Sequence, residues 1–189
     1  LHNLGTDYFS RLLDIYPQTT VGLENDFSWT QFGREFENQV NVIAQKKIPV
    51  KNMLQFADYY ARQNPGISPR VVISADDPLG GGGKVVWINT PKYRIGWFYN
   101  QNGSLIRDLR KFNDRNEESC LKTACEELKL AFDSRTVIDD GNYSSAWLLD
   151  EGKISDVKVT PDGYGAQITY KNQAGTQRDL RILENDIEF

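Results

Sequence analysis

The sequence predicts an α+β protein, with N-terminal helices packed on antiparallel β-sheet, one intervening helix and a C-terminal β-meander. Three observations carry this reading. The first third of the chain repeats its apolar residues at helical spacing. From Arg70 onward, short runs rich in β-branched and aromatic residues take over. Those runs are joined by tight Gly, Asn and Asp turns, which suit antiparallel neighbours and leave no room for crossover helices. Residues 1–66 read as the helical segment packing on the sheet and residues 67–189 as the β-rich core, together one domain.

In order, Thr6 is placed to cap a helix through Phe9, Leu12, Leu13 and Tyr16, ending before Pro17. Ser28 with Gln31 has the capping-box spacing. After it Trp29, Phe32, Phe36, Val40 and Ile43 form the strongest amphipathic stripe in the chain, a stripe that needs a cover and is expected to find it on the sheet. Lys46 and Lys47 suit the negative end of that helix, and Pro49 stops it. A third helix runs near Asn52–Gln63, with Met53, Phe56, Ala57 and Tyr60 on one face.

The β-rich part opens with Arg70–Ser74. Lys84–Tyr99 is the densest β-branched and aromatic run; it reads as two strands split at Thr90-Pro91-Lys92, the spine of the sheet. Asn100–Gly103 is a hairpin signal leading into Ser104–Arg110. Glu117–Phe132 reads as the intervening helix. The meander follows, with strands near 136–138, 143–149, 154–160, 166–171 and 178–183.

Composition narrows the functional classes. The chain has 189 residues, enough to bury a core without a metal or disulfide staple. Its net charge of −4 argues against nucleic acid and anionic membrane as partners. No apolar run is long enough to span a bilayer. The single histidine, His2, lies at the terminus, which leaves Ser-His-Asp, Cys-His and His-zinc chemistry without their central residue. Gly80–Gly83 before Lys84 lacks the spacing of a phosphate loop and leads into a strand, whereas phosphate binding needs a helix N-terminus. No cofactor motif and no metal-ligand spacing is present. Cys120 and Cys125 are either two buried free thiols or one disulfide, and a regular helix through both would keep them from bridging.

Candidate chemistry therefore rests on aromatics and carboxylates. Trp87, Trp97, Tyr93 and Tyr99, with Arg94 beside them, are the candidate ligand-binding residues. Trp147 could join them in an exposed platform, whereas alternate aromatic positions on a strand also fit a core. Asp76-Asp77, Glu117-Glu118, Glu126-Glu127 and Asp139-Asp140 are acidic pairs whose ordinary role is in turns and helix starts. Arg107, Arg110, Lys111 and Arg115, interrupted by Asp108 and Asp114, read as a solvated, ion-paired face.

The reading that follows is a non-enzymatic binding, sensing or protein-interaction domain. The absence of an initiator methionine before Leu1 adds the expectation of an extracytoplasmic setting, as the soluble part of a membrane-tethered protein. Its partner would be a protein or small-molecule ligand, with no cofactor. The plan of an N-terminal amphipathic helix, an antiparallel sheet and a close cysteine pair resembles the soluble part of type IV pilin-like proteins and of extracytoplasmic sensor domains. That resemblance implies a structural-subunit alternative and carries over no functional residues. The third helix before the sheet departs from the pilin plan. A carboxylate-dependent hydrolase acting on a glycan is the enzymatic alternative, and two acids converging in an aromatic-flanked cleft would favour it.

Overall fold

The computed structural model describes residues 2–15, 18, 19, 21, 28–63, 65, 71–78, 80–112, 134–139 and 146–189. Among these residues lie three helices and ten strands, the strands forming two antiparallel sheets. The α+β order of helices first and antiparallel strands after is the one the sequence predicts. The intervening helix over 117–132, with Cys120 and Cys125, falls outside the described residues. The chain divides into two compact units, Leu1–Pro65 with Asp77–Gly81, and Gly66–Asp76 with Gly82–Phe189.

The helical unit holds α1 (His2–Ile15), α2 (Trp29–Gln45) and α3 (Met53–Gln63). Helix α1 starts ahead of Thr6, so Thr6 is interior to it; its hydroxyl donates to Glu35 Oε1 on α2 at 2.7 Å. The helices meet closely there, since a Cβ on Gly5 would come within 2.7 Å of the same carboxylate oxygen. Ser28 does sit at the N-cap of α2, but its side chain makes no capping bond. The reciprocal box forms instead on α3, where Gln55 N–H donates to Asn52 Oδ1 at 2.9 Å and Asn52 N–H to Gln55 Oε1 at 3.1 Å.

The end of α2 gives Lys47 a backbone role in addition to the dipole argument. Ile48 N–H reaches Ile43 O at 3.2 Å and Lys47 N–H reaches Ala44 O at 3.1 Å. That is a Schellman closure, and Lys47 occupies its left-handed position at φ 54°. The apolar stripe of α2 is partly open: Trp29 is 60% exposed, Phe32 46% and Val40 44%.

The strand unit contains a six-stranded sheet, β1 (Val71–Asp76), β2 (Lys84–Asn89), β3 (Tyr93–Asn100), β4 (Gly103–Phe112), β5 (Ser134–Asp139) and β6 (Trp147–Glu151). The order is β1-β2-β3-β4-β5, and β6 shares the far edge of β4 with β5. The second sheet is β10-β9-β8-β7, from β7 (Ser155–Asp162), β8 (Gly165–Lys171), β9 (Gln177–Ile182) and β10 (Ile187–Glu188). The predicted turns close these ladders. Thr90 Oγ1 accepts from the N–H groups of Lys92 and Tyr93 between β2 and β3. Asn172 Oδ1 accepts from Ala174 and Thr176, with Gly175 at φ 77°.

Period-two alternation then sorts the side chains. Val86, Ile88, Ile95, Trp97 and Ile106 of the first sheet are fully buried. They meet Ala166, Ile168, Tyr170, Leu180 and Ile182 of the second sheet in one hydrophobic cluster. The cover over Trp97 thus comes from the second sheet: its ring lies 5.2 Å from that of Tyr170 and stacks on Tyr99 at 4.6 Å. Within the second sheet Gly165 lets β8 approach β9 closely, since a Cβ there would fall 1.7 Å from the carbonyl oxygen of Ile182.

Candidate functional site

The five residues expected to meet a ligand fall on opposite faces of the first sheet. Tyr93, Trp97 and Tyr99 alternate onto the inner face, and Arg94, Gly96 and Phe98 onto the outer. Trp87 pairs with Gly96 across β2 and β3, so it lies on the outer face. A platform that includes both Trp87 and Trp97 is therefore corrected: their register positions differ by one residue, and one residue reverses the face. Trp97 belongs to the core, where its indole Nε1–H is buried without an acceptor among the described residues.

Tyr93 is likewise a core residue with a defined task. Its hydroxyl donates to the carbonyl oxygens of Leu183 and Asp186, tying the start of β3 to the β9–β10 turn. Burial, and then the charge of Asp186, push its phenol well above the ordinary value. Tyr99 is half-buried beside the cluster, and burial is the main cause that raises its phenol too.

The outer face gathers the remaining candidates into one arrangement. Trp87 lies flat against Gly96, where a Cβ would come within 2.8 Å of the indole. It meets Phe98 edge-on, with ring centroids 5.9 Å apart at 83°. The Arg94 guanidinium sits 5.2 Å from the Trp87 ring and the Arg107 guanidinium 5.0 Å from the Phe98 ring. Arg94 is fixed by a bidentate pair to Asp108, Nε to Oδ1 at 2.9 Å and Nη2 to Oδ2 at 2.8 Å. Arg110 Nε adds a bond to Asp108 Oδ2 at 3.3 Å. Asp108 is 9% exposed and the side chains of Arg94 and Arg110 are 34% and 28% exposed, so this part of the basic cluster is ion-paired, with its carboxylate buried and its arginines partly open to solvent. Asn89, opposite Arg94, buries its Oδ1 without a partner among the described residues.

Sequence reasoning missed a second cluster on the inner face. Ser104 Oγ donates to Tyr170 Oη at 3.4 Å, and Tyr170 donates to Asp150 Oδ2 at 2.6 Å. Asn172 Nδ2 and Arg178 Nη2 reach Asp150 Oδ1 at 3.3 and 3.5 Å. Burial first, then the bond to Asp150, raise the Tyr170 phenol, so it stays protonated and acts as a donor. Tyr170 therefore does not serve as a base toward Ser104, and the chain of bonds is a tie between the sheets. The residues are separated by 20 to 66 positions in sequence, which no spacing rule joins.

Of the acids in the predicted pairs, Asp76 and Asp77 take local roles. Asp76 pairs with Lys84 at 2.8 Å. Asp77 Oδ2 accepts from Gly81 N–H at 2.8 Å, so a carboxylate occupies an amide of the glycine loop. Trp147 is half exposed on β6. The acids of 117, 118, 126, 127 and 140 lie outside the described residues. Among the described residues, no group of three or more His, Cys, Asp or Glu is placed to hold a metal ion. None of the described helices is long and apolar enough to cross a membrane. Compared with protein-family models, with curated proteins and with solved structures, the chain matches none.

Proposed function

We propose that this chain is a non-enzymatic binding domain whose recognition face is the outer surface of the six-stranded sheet around Trp87 and Arg94. The observation that supports this is the Trp87–Phe98 pair with a guanidinium group over each ring, that of Arg94 fixed by Asp108. The pair stands on paired strands, and Arg94 is anchored by a buried carboxylate, so little ordering is needed on binding. Such a surface suits a protein or small-molecule ligand that offers an apolar or planar group beside hydrogen-bond acceptors. The two buried carboxylates, Asp108 and Asp150, already accept bonds from arginine, tyrosine and asparagine, which weighs against the glycan-hydrolase alternative.

The test is a ligand screen followed by amide chemical shifts. Shifts are expected on β2, β3 and β4 around Trp87, Arg94 and Arg107. Trp87→Ala and Arg94→Ala should each weaken the ligand by about tenfold or more, as hot-spot Trp and Arg residues do, with the fold checked by circular dichroism. Shifts confined to other elements, or affinities unchanged in both variants, would sink the reading. The extracytoplasmic, membrane-tethered setting belongs to the same proposal, and fractionation of cells expressing the full-length gene tests it.

A second reading, a structural subunit assembling through its helices, has one observation in its favour. The α2 stripe at Trp29, Phe32 and Val40 and the α3 residues Met53 and Leu54 keep large apolar side chains exposed. Self-association abolished by Phe32→Glu would support it.

A further inference from the structure

We infer that β1 is the edge at which a second copy of this chain adds its own β1, continuing the six-stranded sheet across a two-fold axis. This goes beyond the ligand-binding reading and does not depend on it. Among the described strands β1 pairs only with β2, and all six of its residues sit in register without a bulge. An edge of that kind presents a row of backbone donors and acceptors to another strand.

The other sheet edges carry devices that discourage such pairing, and β1 does not. Strand β7 has a register shift between Ser155 and Lys158, Asp156 at φ 53°, an exposed Lys158, and Pro161. Strand β10 has two residues. Beyond β4 the edge is divided between β5 and β6, with register shifts on both ladders. Strand β1, Val-Val-Ile-Ser-Ala-Asp, has no proline, no lysine and no bulge. Its one charge, Asp76, is at the end and already paired with Lys84.

The side chains favour a second copy as the occupant. Val72 faces the core, and Ile73, opposite Trp87, faces the other side. A two-fold pairing that sets Ile73 against the second copy's Ile73 also sets Val71 against Ala75 and Val72 against Ser74. Each of these pairs joins positions of the same face, so both cores stay on one side of the joined sheet. Asp76 lies outside the opposed pairs, so no like charges meet. A contact this short buries less than about 1,000 Å², which makes the association weak and concentration-dependent.

Sedimentation equilibrium of the full chain over a range of concentrations tests it. The wild type should pass from monomer to dimer as concentration rises. Ile73→Lys and Ile73→Glu should each remain monomeric, and an equimolar mixture of the two should regain the dimer, because opposite charges then face each other. The mixture also guards against misfolding, since unfolded variants would not rescue one another. Ser74→Lys, at a position already exposed, should weaken the dimer. A wild type that stays monomeric at every concentration overturns the inference. So does a dimer that survives Ile73→Lys, or that is lost on Phe32→Glu instead, which would place the contact on the helices.

Discussion

Tyr170 shows how much one side chain can carry in this protein. Its ring fills the space beside Trp97, and its hydroxyl ends on Asp150, which also accepts from Asn172 and Arg178. Removing the hydroxyl leaves Asp150 with its other donors, whereas removing the carboxylate strands a buried phenol and loosens an arginine. Tyr170→Phe should therefore cost about 1–2 kcal/mol and Asp150→Ala clearly more, about 2–4 kcal/mol. Guanidinium unfolding of the variants checks the order; equal losses would mean the bonds are not organised around Asp150. None of this was legible in the sequence. Ser104, Asp150 and Tyr170 are ordinary strand residues there, and only the meeting of β4, β6 and β8 makes them partners.

At the scale of elements, Lys47 is the informative position. It holds the left-handed conformation that closes α2, which costs an L-residue about 1–2 kcal/mol and costs glycine almost nothing. Lys47→Gly should raise the thermal stability of the helical unit by an amount worth roughly 0.5–1 kcal/mol. A lower melting temperature would mean that the lysine side chain contributes more than its backbone strain removes. The helices and most strands were legible because apolar period and turn residues are local properties. The capping box was assigned to Ser28 and Gln31, yet it forms at Asn52 and Gln55. Spacing permits the bond in both places, and the rotamers decide where it is made.

For the strand unit as a whole, the buried tyrosines set a pH limit. Burial raises the phenols of Tyr93 and Tyr170 above their ordinary value of 10.0. Above that value the unfolded chain releases these protons first, so it binds fewer protons than the folded chain and stability falls as pH rises. Below it both states keep the protons and the stabilisation is complete. The guanidinium midpoint should thus be level from about pH 8 to pH 9.5 and drop steadily above about pH 10. The Tyr93→Phe, Tyr170→Phe double variant should lose much of that slope. An unchanged slope would assign the alkaline loss to other groups.

The sequence by itself determined the α+β order, N-terminal helices followed by antiparallel strands, and the two-residue period that sorts side chains along a strand. Alternation along β3 sets Tyr93, Trp97 and Tyr99 on one face and Arg94 on the other. Only the tertiary structure decided which face is core. Alternation is a property of one strand, and it is symmetric between the two faces. Burial is a relation to whatever packs above, and here that is the second sheet, with Ile168, Tyr170 and Leu180 closing over Trp97 and leaving Trp87 on the other side with Arg94 and Phe98.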